Sequence, residues 1–194
     1  VYFDNYDLPK FDKGSLNVSI SDMACAKNVI SVGSYNVRKH WPCLDGWVYG
    51  YNVKNGIDEY PDGEATRFSS YGTIADGRSL PNICAPGAAA IISSYNGYFV
   101  DDPANGVTDA GLQGKFKKGN KTYYWAQTLG TSMATPVVAG SIALWLQANP
   151  RLKYEDVFRI IQKTAVKDEK VLHTGDPVQW GAGKFNAYDG LKEV

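Results

Sequence analysis

Ser132 stands in the run Gly130-Thr131-Ser132-Met133-Ala134-Thr135-Pro136-Val137-Val138-Ala139-Gly140, where a loop passes into an apolar stretch of helical character. A serine at the start of a helix lies beside backbone N–H groups that have no intrahelical acceptor, at the positive end of the helix dipole. Such groups can stabilise the oxyanion formed when a hydroxyl attacks a carbonyl. The residue types therefore read as a nucleophile that carries its own oxyanion donor. Gly130 lets a substrate backbone approach closely, and Thr131 offers a further donor. Pro136 falls in the first helical turns, where a missing N–H costs little. Met133 and Ala134 read as core packing. Taken without its neighbours, the same serine would be an ordinary helix N-cap.

A serine hydroxyl is a weak nucleophile at neutral pH and needs an adjacent base. The chain has two histidines, and neither suits the task. His40 sits in Lys39-His40-Trp41-Pro42 and His173 in Leu172-His173-Thr174, and neither stretch marks a general base. Both read as loop or surface residues. The chain thus carries half of a nucleophilic site.

The bulk properties narrow the setting. A length of 194 residues fits one domain or a piece of a larger one, and 44% hydrophobic residues suffice for a packed core. Lys+Arg and Asp+Glu number 20 each, so no charge excess points to nucleic acid or an anionic membrane. The longest apolar stretch, around Val137–Leu146, is too short to span a bilayer. The opening Val1-Tyr2-Phe3 shows neither a starting Met nor a signal-type segment and reads as a cleavage boundary. Cys25, Cys43 and Cys84 are odd in number and lack C-x-x-C spacing, which argues against a complete disulfide framework. Cys25 and Cys84 read as small buried hydrophobes, and Cys43 as the most exposed of the three.

The elements that must position Ser132 follow from periodicity. Asn28–Tyr35 (NVISVGSY) reads as a buried strand. Residues 36–64 form a long surface excursion with turn signals at Asp45-Gly46, Asn55-Gly56 and Asp62-Gly63 and a hairpin near Trp47–Val53. Its aromatic residues Trp41, Trp47, Tyr49 and Tyr51 read as a small core pinning the loop. Ala65–Tyr71 alternates and reads as a strand, Ile83–Ala85 as another that closes on Pro86-Gly87, and Ala88–Tyr95 as a further one. Asp101–Lys121 shows no core pattern, and its charge run Lys115–Lys121 reads as a solvated loop. Thr122–Leu129 reads as the strand that leads into the serine. The helix Ser132–Asn149 is apolar on nearly every face and is expected to be buried. Tyr154–Ala165 is amphipathic, Gly181-Ala182-Gly183 marks a tight turn, and Asn186 caps a last helix with Asp189 as its partner. Strands first and helices later, with apolar strands, give an α/β layered fold. Asn17-Val18-Ser19 and Asn120-Lys121-Thr122 fit the glycosylation pattern, which matters only in a eukaryotic secretory host.

Four of these stretches together resemble the C-terminal half of the catalytic domain of subtilisin-like serine proteases, the subtilases. Gly130–Pro136 matches the family's Gly-Thr-Ser-Met-Ala-x-Pro motif at every specified position. Asn28–Gly33 looks like the strand after the family's oxyanion loop. Phe68-Ser69-Ser70 with Gly72, followed by Pro81–Gly87, looks like the strand and Ala-Pro-Gly turn before the serine. Gly181-Ala182-Gly183 with Asn186-Ala187 looks like the closing motif. The resemblance covers roughly residues 20–194. It implies a three-layer α/β domain with a mostly parallel sheet and flanking helices, of which residues 1–194 are the C-terminal part, with an insertion loop at 36–64.

By the same resemblance, Ser132 attacks the scissile peptide carbonyl, its own N–H donates to the oxyanion, and Gly130 and Thr131 support the motif. The family's Asp, His and oxyanion Asn precede the strand at Asn28. Asn5 and Asn17 do precede it, but outside the family's Ala-Gly-Asn context, so all three partners are expected upstream of Val1. The function implied is a serine endopeptidase whose Asp and His come from that upstream segment, this chain alone being inactive. The alternative is a degenerate protease that binds peptide without cutting. The expected partners are a peptide or protein substrate and the upstream half of the domain, or a second copy joined through an exposed sheet edge, with no nucleic acid and no membrane. Family members are usually secreted or periplasmic. Some bind calcium before the Ala-Pro-Gly turn through an Asp, where this chain has Asn82; calcium favours carboxylates, which weakens the case for a metal there. Lys153 stands where the family often places a Thr or Ser cap, which weakens that helix start.

Overall fold

The computed structural model describes residues 19–50, 53–54, 57–58, 61–88, 91–95, 112–173 and 175–194. The readings made above for residues 1–18, Tyr51, Asn55-Gly56 and 96–111 lie outside them. A 3-10 turn at Asp22–Cys25 comes first. The strands are β1 (Val32–Asn36), β2 (His40–Pro42), β3 (Val48–Gly50), β4 (Val53–Lys54), β5 (Ile57–Asp58), β6 (Gly72–Thr73), β7 (Ser79–Leu80), β8 (Ile83–Ala88), β9 (Ile91–Tyr95), β10 (Leu112–Lys118) and β11 (Lys121–Thr128). The helices are α1 (Thr131–Ala148), α2 (Tyr154–Thr164), α3 (Glu169–Leu172) and α4 (Ala187–Lys192), with a 3-10 turn at Pro177–Trp180 before the last.

The centre is a parallel pair, β1 with β8, Val32 opposite Ile83 and Ser34 opposite Ala85. Ile83, Cys84, Ala85 and Ala88 are all fully buried, as expected of a parallel strand covered on both faces. This is the α/β architecture that the residue pattern implies. Helix α1 packs on this pair. Ala134, Val138 and Trp145 of α1 meet Ile83 and Ala85 of β8 and Val157, Ile160 and Ile161 of α2 in one core cluster. Each buried Val or Ile side chain there contributes about 1.5–3 kcal/mol. The Trp145 indole donates to Ala187 O at 3.0 Å and lies 5.5 Å from the Phe185 ring. Gly190 of α4 admits that indole, since a Cβ there would sit 1.9 Å from it.

The capping expectation at Asn186 holds. Its Oδ1 accepts from Asp189 N at 3.0 Å and its Nδ2 donates to Asp189 Oδ2 at 2.7 Å. The tight turn also holds, with Gly181 and Gly183 at φ 57° and 130°. The concern about Lys153 dissolves. The Asp156 carboxylate accepts from the Lys153 N–H at 3.2 Å and supplies the cap that the lysine side chain does not.

Several expectations are corrected. Ala65–Tyr71 is not a strand. Ala65 makes one isolated bridge to Tyr35, and the stretch turns so that Thr66 N donates to Ser34 O at 2.9 Å while Ser69 Oγ accepts from Ser34 N at 2.9 Å. The hydroxyls that gave the alternation serve instead to cover the outer edge of β1. Strand β8 runs through Pro86-Gly87 rather than ending there, because β1 still pairs with it at Pro86 and Ala88. Lys115–Lys121 is not a loop. It is the tip of the β10–β11 hairpin, which joins β9 in a three-stranded antiparallel sheet in the order β10-β11-β9. Cys43 is buried and Cys25 only half-buried, the reverse of expectation. Leu44 N donates to Leu112 O at 2.8 Å and Gln113 Nε2 donates to Cys43 Sγ at 3.1 Å, so the edge of β10 covers that thiol.

Helix α1 begins one residue earlier than expected, and only Ala134, Val138 and Trp145 of it are buried. Leu144 is 60% exposed and Val137 36%. The helix is apolar around its axis, but the described residues cover one face.

The 36–64 excursion is closed at its base by Asn36. Its N–H donates to Glu64 O at 2.8 Å, its carbonyl accepts from Gly63 N at 2.9 Å, and its Nδ2 donates to Pro61 O at 3.0 Å. Glu64 is held further by Lys170 at 2.7 Å. The buried Lys184 bonds Asp168 at 2.7 Å and lies 5.0 Å and 5.2 Å from the Tyr35 and Trp180 rings, beside Gly63. Within the excursion, β2 and β3 form an antiparallel hairpin and β4 pairs with β5. Trp41 is its buried aromatic, while Trp47 is 72% exposed and takes no part in a small core.

Candidate active site

The serine loop is built from two crossing strands of hydrogen bonds. Strand β11 ends at Thr128, opposite Ile91 of β9. Gly130 then adopts φ 138° and ψ 156°, a region that only glycine enters without strain. Its N–H donates to Gly87 O at 2.7 Å, which fastens the loop to the end of β8. Its carbonyl accepts from Met133 N at 2.8 Å, so Gly130 is the N-cap of α1. The approach of the two chains is close. A Cβ on Gly87 would lie 2.9 Å from Gly130 O and 2.3 Å from Ser34 Oγ.

Ser132 is therefore the second residue of α1, not its cap. Its side chain is exposed and its hydroxyl has no hydrogen-bond partner among the described residues. The backbone N–H groups of Thr131 and Ser132 likewise have no backbone acceptor there. Pro136 is the sixth helical residue, deeper than the first turn, so it removes the bond that would otherwise end on the Ser132 carbonyl. Thr135 Oγ1 donates to Thr131 O at 2.9 Å, which steadies the first turn. The result is an unengaged hydroxyl beside two unengaged N–H donors at the positive end of an eighteen-residue helix. Chemically this can present a nucleophile and an oxyanion donor to one carbonyl.

Neither histidine joins it. His173 is exposed, its Nδ1 2.9 Å from Glu169 O at the end of α3. His40 is exposed on β2 and packs against Gly50. Asn82 is engaged structurally. Its Oδ1 accepts from Ser31 N at 2.8 Å, and its backbone bonds Ser31 O and Ala182 N. Among the described residues no group of three or more His, Cys, Asp or Glu side chains could hold a metal ion. A cavity of about 670 Å³ between Pro81, Tyr154, Phe158 and Val178 opens at the other end of β8 from the serine loop. Among the described residues no helix is long and apolar enough to cross a membrane.

Ser34, not singled out from the sequence, is fully buried under Gly87, and its hydroxyl has no partner among the described residues.

This geometry accords with comparison against known proteins. The subtilase family profile, Peptidase S8, matches residues 5–183. The chain therefore belongs to the subtilase family, a family of serine proteases. It is 34% identical over 139 residues to the serine protease AprX of Bacillus subtilis (strain 168), covering 71% of this chain and 27% of that protein. It is 30% identical over 160 residues to the uncharacterized protein aq_aa18 of Aquifex aeolicus (strain VF5), covering 82% of this chain and 60% of that protein. The chain thus spans between about a quarter and three fifths of the length of these relatives.

Proposed function

We propose that this chain is the C-terminal half of a subtilase catalytic domain that hydrolyses peptide bonds with Ser132 as its nucleophile. The observation that carries the reading is the exposed Ser132 hydroxyl beside two N–H groups, all without a partner among the described residues, with Gly130 fixing the turn. Ser132 Oγ adds to the scissile carbonyl while a base removes its proton. The carbonyl oxygen becomes an oxyanion held by the Ser132 N–H. The base gives that proton to the leaving nitrogen, so collapse expels a neutral amine and leaves an acyl-enzyme; water, deprotonated by the same base, then releases the acid, and the proton returns to Ser132 Oγ. The base is a histidine oriented by an aspartate, both on the upstream half of the domain, and a second oxyanion donor comes from there as well. The chain alone does not hydrolyse peptides. The exposed apolar face of α1 supports this partner, since it presents to solvent Val137, in the turns next to the serine, and Leu144, about two turns further along. A second copy of the chain is the competing occupant of that face. An extracytoplasmic site, secreted or periplasmic, goes with this activity.

Fluorophosphonate labelling with mass spectrometry tests the reading. The expected result is an adduct on Ser132 when the chain is joined to its upstream half, and none on the isolated chain. An adduct-free Ser132 in the joined protein would overturn the enzyme reading in favour of a peptide-binding module. Labelling of the isolated chain would overturn the assignment of the base upstream.

A further inference from the structure

The β10–β11 hairpin carries a surface that the serine chemistry does not use. Residues directly opposite in an antiparallel pair lie on one face. Here that places Phe116 with Tyr123, Gly114 with Trp125 and Lys118 with Lys121. Ile92 of β9 lies opposite Gln127 on the same face. Ile92, Phe116, Tyr123 and Trp125 are 48%, 49%, 39% and 40% exposed. The Phe116 and Tyr123 rings stack at 5.0 Å and 14°. Gly114 sets no side chain beside the Trp125 indole. Four exposed apolar side chains on one sheet face are a contact surface rather than scattered exposure.

Charge specifies what it contacts. Residues 112–128 contain four lysines and no Asp or Glu, in a chain whose formal net charge is +0. Lys118 and Lys121 face each other directly at the hairpin tip. Like charges in that position weaken the pairing, and an anionic partner relieves the conflict. Lys121 Nζ also lies 5.7 Å from the Tyr123 ring centroid, so cation and ring form one continuous patch.

Position specifies the rest. Strand β11 ends four residues before Ser132. At about 3.3 Å per residue, Trp125 is roughly 10 Å and Tyr123 roughly 16 Å along the strand from Thr128. A polypeptide lying on this face is held beside the serine loop, and a polypeptide is what Ser132 acts on. We propose that the aromatic, cationic face of β10–β11 is a docking surface for an acidic, apolar stretch of the protein substrate, roughly five to ten residues from the scissile bond in an extended chain. This rests on the reading of Ser132 as a protease nucleophile.

The test separates docking from turnover by using the full-length protein with Ser132→Ala. Fluorescence anisotropy follows a labelled peptide of about twelve residues with alternating acidic and aromatic positions. Expected is saturable binding that weakens at high salt and falls about tenfold when Lys replaces the acidic positions. The Lys118→Glu/Lys121→Glu variant, changed only at the exposed tip, and the Phe116→Ser/Trp125→Thr variant are each expected to bind about tenfold more weakly. Circular dichroism checks that both are folded. Equal binding by wild type and the folded Lys118→Glu/Lys121→Glu variant overturns the proposal. So does tighter binding of a single-stranded oligonucleotide or of phosphatidylserine vesicles than of the acidic peptide. Binding without fluorophosphonate labelling of the Ser132 form would sink the protease reading and leave a peptide-binding surface. Labelling without binding would sink the surface alone.

Discussion

Replacing Gly87 with alanine probes how β8 holds the serine loop. The new Cβ would lie 2.3 Å from Ser34 Oγ, 2.9 Å from Ser34 Cβ and 2.9 Å from Gly130 O. A close carbon–oxygen approach is about 3.3 Å, so Ser34 Oγ must retreat by about 1 Å and Gly130 O by about 0.4 Å. Ser34 is fully buried and cannot swing into solvent. Gly130 O is the acceptor for Met133 N, and Gly130 N is tied to Gly87 O at 2.7 Å. Any shift of Gly130 therefore reaches Ser132 two residues on. Overpacking of this kind costs about 1–3 kcal/mol, which for a domain of this size lowers the melting temperature by about 2–12 °C. Displacing a reacting group by about 1 Å can cost about 100-fold in rate, and a smaller shift correspondingly less. The assay pairs thermal denaturation with the rate of fluorophosphonate labelling in the assembled protein. Adding Ser34→Gly removes the worse contact but not the one with Gly130 O. The double variant should therefore regain most of the stability and little of the labelling rate. A Gly87→Ala protein with wild-type melting and labelling would refute the coupling, and so would full recovery of labelling in the double variant.

Further outcomes follow from the same packing. Gly190→Ala drives a Cβ into the Trp145 ring at 1.9 Å and should destabilise by about 1–3 kcal/mol or prevent folding, read by urea denaturation. Asp168 is penalised by desolvation, but the Lys184 hydrogen bond, the Val171 N–H and the Lys184 charge outweigh it and hold its carboxyl below the ordinary value. Its contribution is therefore present above the unfolded carboxylate range, about pH 4, and is lost as pH falls through the lower folded value. Asp168→Asn should melt below wild type at neutral pH and converge with it in acid, and a difference that persists unchanged at low pH would count against the ion pair. Burial pushes the Cys84 thiol up to about 12, so alkylation of native protein should spare Cys84 and reach half-buried Cys25 first, as mass spectrometry of the digest would report.

How far the sequence carried depends on how local each signal was. The Ser132 run was legible because loop, cap position and apolar helix are contiguous, and Asn186 was legible because a cap and its partner are three residues apart. The helix start alone was shifted, from Ser132 to Thr131 with Gly130 as its cap, since the backbone twist there is a property of glycine and not of the serine. Two of the failures involve partners distant along the chain, and a third a hairpin whose charges hid it. Cys43 is hidden by Leu112 and Gln113, some seventy residues away. Thr66 and Ser69 looked like a strand because the period of hydroxyl and apolar residues cannot tell a pairing strand from a turn that caps one. The lysines at 115–121 hid a hairpin because charge at a solvent-exposed tip resembles charge in a loop, and the aromatic partners that set the register, Phe116 and Tyr123, lie on either side of it.

One failed expectation carries information of its own. A helix that is apolar all round should be buried all round, yet α1 buries only the stripe Ala134, Val138, Trp145. Val137 and Leu144 lie about two turns apart on one line of the helix, about a quarter turn from that stripe. They belong to a second contact face that the described residues leave open. The same helix begins with Ser132, the proposed nucleophile, and among the described residues no histidine lies beside it. On that proposed reading, a single neighbouring segment that packs on this face and carries the base is the economical solution. Leu144→Asp distinguishes this from simple exposure. Because Leu144 is 60% exposed, the isolated chain should keep its stability within about 0.5 kcal/mol. Joined to the upstream half, the same variant should bury a charge and lose both melting temperature and Ser132 labelling. Equal behaviour of the variant and wild type in the joined protein would mean that the face stays open, and that the base reaches Ser132 without packing on α1.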